Sequence, residues 1–239
     1  MKIAIIDNNA VAMQRDNGRG LGFIQSLAAA ARESDFEFVR HECIGARLAD
    51  LKQCRGLILS GSSLDFARSD NQFDRETYEK MIPEFRLLLD FDGPVLGICF
   101  GHQLLALAEE FDEQRDAFGE LRVQNMLHPE DDYMVMPIRM DSPLRFMNER
   151  ELWVQHNHKQ EVVLNDGLLK YFDVVAGSAQ CQVNVMQHKS RDWFGVQFHP
   201  EVGRASKKGI VSHHEAAVKD GQILMCDFAR YCFSGRCGD

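Results

Sequence analysis

The chain has 239 residues, of which 45% are hydrophobic and 26% charged, and this composition is close to the average of soluble globular proteins. It disfavours a disordered chain, because enough apolar material is present to fill a core. The formal net charge of −9 disfavours nucleic-acid binding, which needs a basic surface, and no apolar run is long enough to span a membrane. We therefore expect neither a nucleic-acid partner nor a membrane.

The first nine residues, MKIAIIDNN, contain an apolar run that ends at Asp7. The run is too short for the core of a signal peptide, so it predicts a buried strand and a cytoplasmic protein. The seven cysteines are then expected to be reduced. A zinc site is an alternative for residues near the carboxyl end: Cys226, Cys232, Cys237, His213 and His214. These residues contain no C-x2-C pair, so we expect packed or exposed thiols, no metal and no cofactor.

The first half of the chain alternates predicted strands and helices at short spacing. The predicted strands are residues 2–6, 36–40, 56–60 and 94–99, and the predicted helices are 22–32, 46–54, 77–89 and 101–110. Pro83 should kink or divide the third helix. Such alternation is typical of a largely parallel sheet that is covered by helices on both faces.

The second half of the chain is richer in strands. The predicted strands are residues 120–123, 133–138, 152–156, 174–179, 182–187 and 193–198, and a helix over 221–231 closes the chain. With few helices between them, these strands predict a mixed, partly antiparallel extension of the sheet. No repeat and no Pro/Ser-rich linker interrupts the sequence, so we expect one α/β domain over residues 1–239.

A candidate nucleophile lies between a predicted buried strand and a predicted helix. The five residues GICFG at 97–101 have the G-x-C-x-G form of a nucleophile elbow, with Cys99 at its centre. The glycines leave room for a tight turn, and the start of the following helix favours a negatively charged sulfur. The N–H group of Phe100 would be one donor to a reacting carbonyl oxygen. The alternative is that Cys99 is a small buried residue at the end of a core strand.

A candidate base lies one hundred residues further along the chain. In the segment GVQFHPE at 195–201, His199 ends a predicted strand and Glu201 follows two residues later. A carboxylate at this position can accept a hydrogen bond from the imidazole and fix its orientation. Together with Cys99, these residues indicate a cysteine hydrolase.

Several segments together resemble the class I (triad) glutamine amidotransferase family. GICFGHQLLA at 97–106 resembles the family's nucleophile motif, and GVQFHPE at 195–201 resembles its His/Glu motif. LILSGSS at 57–63 resembles its oxyanion strand and loop, and the first nine residues resemble its first strand. The resemblance covers nearly the whole chain and implies a flavodoxin-like α/β fold.

The resemblance also implies a reaction and a set of site residues. Cys99 would attack the side-chain amide of L-glutamine and form a γ-glutamyl thioester, while His199, oriented by Glu201, would transfer the protons. Water would release glutamate, and the ammonia would go to a separate synthase or ligase subunit. The remaining matched residues would bind the substrate or its oxyanion: Phe100, Gly61, Ser62, Gln103 and His156.

Two motifs depart from the family pattern. The loop SGSS at 60–63 has Ser62 where the family has a second glycine, so this residue would be strained if its peptide needs a positive φ. The segment 155–158 reads QHNH where S-H-x-D is common, so Gln155 and His158 replace Ser and Asp. The change predicts either an altered substrate pocket or ordinary variation around main-chain contacts.

Two charged segments exceed the compact family pattern, at residues 65–85 and 203–220. Both follow catalytic loops, so they could form a lid or a docking surface for a partner, or they could be solvated excursions. The sequence contains no P-loop and no Gly-rich dinucleotide fingerprint, so we expect no ATP-binding segment.

Three functions stay open at this point. The first is a glutaminase that supplies ammonia to a separate synthase. The second is a γ-glutamyl hydrolase or peptidase, which would use the same thioester but accept other γ-glutamyl amides. The third is a non-catalytic subunit, which the intact Cys99, His199 and Glu201 disfavour. The acceptor of the ammonia cannot be read from the sequence.

Overall fold

The computed structural model describes residues 2–9, 18–126, 134–202 and 213–234. Its strands and helices follow the chain in this order: β1 Ile3–Asp7, α1 Gly18–Leu27, β2 Phe36–Arg40, α2 Ile44–Leu51, β3 Gly56–Leu59, α3 Arg75–Asp90, β4 Val95–Ile98, α4 Phe100–Ala108, β5 Val123–Asn125, β6 Met134–Arg139, β7 Glu151–His156, β8 Gln160–Val162, α5 Asp166–Tyr171, β9 Phe172–Ala176, β10 Val185–His188, β11 Trp193–Val196 and α6 His214–Ser234.

The central sheet has seven strands in the order β2-β1-β3-β4-β11-β10-β9. The first five of these strands are parallel, whereas β10 is antiparallel to both of its neighbours. Two antiparallel pairs, β5 with β8 and β6 with β7, lie outside this sheet. The predicted mixed, largely parallel sheet is therefore confirmed.

Alternate residues of each central strand face two separate cores. In β1, Ala4 and Ile6 pack with α2, α3 and α4, whereas Ile3 and Ile5 pack with α1 and α6. Because successive side chains of a strand point to opposite faces, a run that is apolar at every position needs cover on both sides. The structure provides that cover and confirms the prediction of helices on both faces.

Several element boundaries differ from the predictions. Helix α3 is not divided at Pro83, but runs from Arg75 to Asp90. Pro83 is partly exposed and Glu79 is exposed, so water can reach the carbonyl group that the missing N–H leaves free. Asp74 fixes the start of α3, because its carboxylate accepts a hydrogen bond of 2.9 Å from the N–H group of Thr77.

The second half contains two elements that the sequence did not predict, β8 and α5. Both are short, with three and six residues, so neither gives a periodic pattern. Asn165 caps α5 by accepting a hydrogen bond of 2.9 Å from the N–H group of Leu168.

The two charged segments take different forms. In the first, residues 65–74 form an irregular loop with one bridge between Ala67 and Phe73, and residues 75–85 belong to α3. In the second, residues 203–212 lie outside the described residues, and residues 214–220 belong to α6. Among the helices of the described residues, none is long and apolar enough to cross a membrane.

Candidate active site

Cys99 lies in a strained turn between β4 and α4, as its motif predicts. Its backbone has φ 52° and ψ −102°, a conformation that residues other than glycine rarely adopt. The glycines on either side are needed because the backbone is crowded there. A Cβ atom on Gly97 would lie 2.5 Å from the carbonyl oxygen of Gly101, and one on Gly101 would overlap the carbonyl group of Leu59.

His199 and Cys99 follow neighbouring parallel strands of the sheet. Strand β11 pairs with β4 so that Val196 stands opposite Ile98, and the N–H group of Cys99 donates a hydrogen bond of 2.9 Å to the carbonyl of Val196. Because the carboxyl ends of parallel strands meet at one edge of a sheet, this register brings the two residues together. The spacing of about 4.8 Å between strands sets the scale of their separation.

Glu201 holds the imidazole of His199. Its Oε1 atom lies 2.8 Å from Nδ1 of His199, which fits a charge-assisted hydrogen bond with the imidazole as donor. The other ring nitrogen, Nε2, lies 3.4 Å from the carbonyl oxygen of Asn157, and the ring also interacts with the side chain of Cys99. Glu201 is buried, so few competing water molecules reach this hydrogen bond.

The charge of the site favours a protonated imidazole. Burial by itself lowers the pKa of His199, but the negative charges of Glu201 and Cys99 outweigh burial and hold this pKa well above its ordinary value. An imidazolium next to a sulfur stabilises the thiolate, which is the nucleophilic form of cysteine.

Gly61 lies against both of these side chains. A Cβ atom on this residue would be 2.9 Å from Cε1 of His199 and 3.4 Å from Cβ of Cys99. The loop that carries Gly61 thus forms one wall of the site and leaves no room for a side chain there.

A cavity of about 220 Å³ opens in front of Cys99. It is lined by four loops, by α1 and by the beginning of α4, with these residues: Asn9, Phe23, Ser60, Gly61, Ser62, Ser63, Leu64, Asp65, Cys99, Phe100, Gln103, Asn157, His158, Lys159, Gln160, His199 and Glu201. Of the residues predicted from the sequence, Cys99, His199, Glu201, Phe100, Gly61, Ser62 and Gln103 therefore meet at one cavity.

Ser62 is not strained. Among the described residues other than glycine, positive φ angles occur at Asn71 and Cys99, not at Ser62. The loop thus accommodates serine at this position without a left-handed backbone. Gln103 also lines the cavity, and its Nε2 donates hydrogen bonds of 3.0 Å to the carbonyl of Gln160 and 3.4 Å to Oε1 of Gln197.

His156 is not among the described residues that line the cavity, whereas its neighbour His158 is. Nδ1 of His158 lies 3.0 Å from the carbonyl of Gln160, so this nitrogen carries the proton, and Nε2 accepts a hydrogen bond of 3.1 Å from His156. Burial lowers the pKa of His156 to about 3 and that of His158 to about 4. Both rings are therefore neutral, so neither of them adds a positive charge next to His199.

Gln160 ties two cavity walls together, a role that the sequence reasoning missed. Its Oε1 accepts hydrogen bonds of 3.0 Å and 3.2 Å from the N–H groups of Phe66 and Ala67, and its Nε2 donates to the carbonyl of Ala67. These partners are more than ninety residues away in the chain, so no local pattern could have identified them.

The residues of the alternative zinc site do not form one in the part of the chain that the structure describes. Cys226 and Cys232 are buried free thiols, and Cys237 lies outside the described residues. Within those residues, no group of three or more His, Cys, Asp or Glu side chains could hold a metal ion.

Comparison with known proteins assigns this architecture to a family. The profile of the family "glutamine amidotransferase class-I" matches residues 15–213, more than four fifths of the chain. A glutamine-hydrolysing GMP synthase subunit of Methanococcus aeolicus is 28% identical over 187 residues, which cover 78% of this chain and 79% of that protein. The protein of the same name from Methanocaldococcus jannaschii is 32% identical over 153 residues, or 63% of this chain and 66% of that protein.

A solved structure shares the fold. A protein of Thermoplasma acidophilum, solved as a candidate subunit of GMP synthase, superposes with a TM-score of 0.69 at 24% identity, over 99% of this chain and 96% of that one. The profile match extends over both candidate catalytic loops and most of the described sheet. The chain therefore belongs to the class-I glutamine amidotransferase family.

Proposed function

We propose that Cys99, His199 and Glu201 are the catalytic triad with which this chain hydrolyses L-glutamine to glutamate and ammonia. Membership of the class-I glutamine amidotransferase family makes the chain a glutamine-hydrolysing enzyme. The observation that supports the triad best is the Glu201–His199 hydrogen bond of 2.8 Å, with the imidazole held against a cysteine in a strained elbow.

In the first half of the reaction, the thiolate of Cys99 attacks the side-chain carbonyl carbon of glutamine. The N–H groups of Phe100 and Ser62, which both line the cavity, would donate to the oxyanion of the tetrahedral intermediate. The imidazolium of His199 then gives its proton to the leaving nitrogen, so that ammonia departs and a γ-glutamyl thioester remains on Cys99.

In the second half, the neutral imidazole of His199 takes a proton from water. The resulting hydroxide attacks the thioester carbonyl, and the C–S bond breaks to release glutamate and the thiolate of Cys99. Glu201 stabilises the imidazolium that forms in each cycle, because its carboxylate accepts the hydrogen bond from Nδ1.

The relatives suggest where the ammonia goes. Two of them are named as one subunit of GMP synthase, and such a name implies a separate partner subunit. We therefore propose that this chain supplies ammonia to a separate synthase subunit, and that the synthase component of a GMP synthase is the first partner to test. The cavity that holds Cys99 would face this partner during turnover.

Ammonia release from L-glutamine by wild type and by Cys99→Ala tests the proposal. The matched control is Cys181→Ala, because Cys181 is also buried and is not among the described residues that line the cavity. We expect release by wild type and by Cys181→Ala, with none by Cys99→Ala. The triad would be contradicted if Cys99→Ala released ammonia at the wild-type rate. It would also be contradicted if the wild type released no ammonia even in the presence of the synthase subunit.

A comparison of substrates tests whether the enzyme prefers glutamine or other γ-glutamyl amides. Gln155 and His158 stand where the family motif usually has Ser and Asp, and His158 lines the cavity. We expect kcat/KM for glutamine to exceed that for γ-glutamyl dipeptides. A preference for the dipeptides would instead favour a γ-glutamyl hydrolase.

A further inference from the structure

Residues 60–64, here called the oxyanion loop, lie against a polar side chain at the end of β1. Asn8 follows Asp7 and is completely buried. Its N–H group donates a hydrogen bond of 3.0 Å to Oγ of Ser60, and its side-chain Nδ2 lies 3.4 Å from the carbonyl oxygen of Ser60. One residue therefore holds the first residue of the oxyanion loop by both its backbone and its side chain.

We propose that Asn8, Ser62 and Glu84 form a positioning network that fixes the oxyanion loop in the geometry needed for glutamine hydrolysis. This inference rests on the proposed function, because it assigns the N–H group of Ser62 to the oxyanion. None of the three side chains has to touch the reacting atoms. They would act through the backbone of the loop, which also carries Gly61 against His199.

The hydroxyl group of Ser62 connects the middle of the loop to Asn8. It donates a hydrogen bond of 2.6 Å to the backbone carbonyl of Asn8 and accepts one of 3.0 Å from the N–H group of Leu64. A glycine at this position could make neither contact. The serine that replaces the family's second glycine thus supplies two hydrogen bonds that restrain the peptide on either side of Ser62.

Glu84 holds the other end of the network. It lies on α3, is 1% exposed, and its Oε1 accepts a hydrogen bond of 3.3 Å from Nδ2 of Asn8. Burial raises the pKa of Glu84 to about 8, so the carboxyl group is mainly neutral at pH 7. A neutral acceptor is less costly to bury than a charge, and it orients the amide of Asn8 toward Ser60.

Glu84 also connects the site to the first charged segment, at residues 65–85. This segment leaves the oxyanion loop and returns as α3, which brings Glu84 back to β1 and Asn8. The first charged segment thereby contributes Glu84 to the contacts that hold the oxyanion loop. That role differs from a lid or a solvated excursion.

The network predicts a loss of rate without a loss of substrate affinity. Donors to an oxyanion contribute to the transition state, so a loop that is less well held lowers kcat and leaves KM nearly unchanged. We expect Ser62→Ala to lower kcat for glutamine about tenfold, because it keeps the backbone N–H group but removes two hydrogen bonds. The matched control is Ser178→Ala, since Ser178 makes similar backbone hydrogen bonds with Cys181 away from the cavity.

A second readout separates positioning from general damage to the site. Alkylation of Cys99 by iodoacetamide, followed by mass spectrometry of the peptide that contains Cys99, does not pass through an oxyanion. We expect the alkylation rate of Ser62→Ala to stay within about twofold of wild type while kcat falls about tenfold. A parallel loss of both rates would overturn the inference.

Variants of the other two residues test whether the three act as one unit. Glu84→Gln keeps a neutral acceptor and should retain wild-type kcat, whereas Glu84→Met should lower it about as much as Ser62→Ala. The double variant Asn8→Ala/Ser62→Ala should have a kcat only slightly below that of the slower single variant, because either substitution already disrupts the whole network. If the two effects were independent, they would multiply to a loss of kcat of about one hundredfold, and this result would contradict a single network.

The outcomes distinguish this inference from the proposed function. If wild type hydrolyses glutamine and Ser62→Ala has unchanged kcat, the network is overturned and the triad stands. If wild type and Cys99→Ala are equally inactive toward glutamine and γ-glutamyl p-nitroanilide, with the synthase subunit present, the network and the proposed function are both overturned. Loss of kcat in Ser62→Ala and Glu84→Met, with rescue in Glu84→Gln, supports the network.

Discussion

Replacement of Gly61 by alanine should damage catalysis while leaving the fold intact. A Cβ atom there would be 2.9 Å from Cε1 of His199, whereas ordinary contacts of this kind begin at about 3.4 Å. The imidazole would have to move by about 0.5 Å, the difference between the two distances. Because the contact is with a side chain, the backbone need not shift. The φ angle of Gly61 lies outside the left-handed region, so it is the steric contact that opposes the alanine.

The expected loss of activity follows from the size of that movement. A misplacement of about 1 Å in a catalytic group costs roughly one hundredfold in rate. A shift of about half that size, which also strains the 2.8 Å hydrogen bond to Glu201, should lower kcat/KM by about 10- to 100-fold. In free energy this is about 1.4–2.7 kcal/mol of transition-state stabilisation.

Ammonia release at low glutamine concentration measures kcat/KM directly, and thermal unfolding of the same preparations reports on the fold. The matched control is Gly45→Ala, because a Cβ atom on Gly45, in helix α2, meets no other atom within 4 Å. That control should keep full activity and gain up to about 1 kcal/mol of stability. The reasoning is refuted if Gly61→Ala keeps kcat/KM within about twofold of wild type, or if its loss follows a loss of folded protein.

Three further predictions concern stability. Gly97→Ala should destabilise the fold by about 3 kcal/mol in urea unfolding, because its Cβ atom would be 2.5 Å from the backbone oxygen of Gly101; wild-type stability would contradict this. Glu84→Gln should be more stable than wild type at pH 9. Burial raises the pKa of Glu84 from 4.5 to about 8, so the wild type loses stability as the pH rises between these values, by at most on the order of 5 kcal/mol. If wild type and Glu84→Gln show the same dependence of stability on pH, this prediction is wrong. The pKa values of His156 and His158 are lowered to about 3 and 4, so their contribution to stability is complete above pH 6.5 and is lost as the pH falls below it. On acid unfolding, His158→Gln should therefore take up about one proton fewer than the wild type. An unchanged proton uptake would contradict the neutral state of the His158 ring.

The placement of the candidate catalytic motifs could be predicted because their constraints are local. Gly97 and Gly101 are required by the backbone around Cys99, and Glu201 lies two residues from the ring that it orients. Short-range constraints of this kind remain visible in a single sequence. The largely parallel sheet could be predicted for a similar reason, since continuous apolar runs alternate with helical patterns along the chain.

The rest of the site depends on pairs that are distant in the chain. Gln160 meets Phe66 and Ala67 only because the irregular loop after the oxyanion loop lies against β8, a strand too short to predict. Asn8 and Glu84 are 76 residues apart, and each looks ordinary in its own segment. Their partners are specified by tertiary packing, which no periodicity of either segment encodes.

The place of β11 in the sheet has a consequence for synthesis of the protein on the ribosome. This strand is the last of the described strands in the chain, yet it lies between β4 and β10, with one edge beside the strand that precedes Cys99. A nascent chain that has already formed β1, β3 and β4 therefore exposes the cysteine elbow without its histidine. In the proposed mechanism, Cys99 therefore gains His199 as its proton-transfer partner only when translation has passed residue 199 and β11 has entered the sheet. Incomplete chains of this enzyme should accordingly carry a cysteine that is unable to consume glutamine.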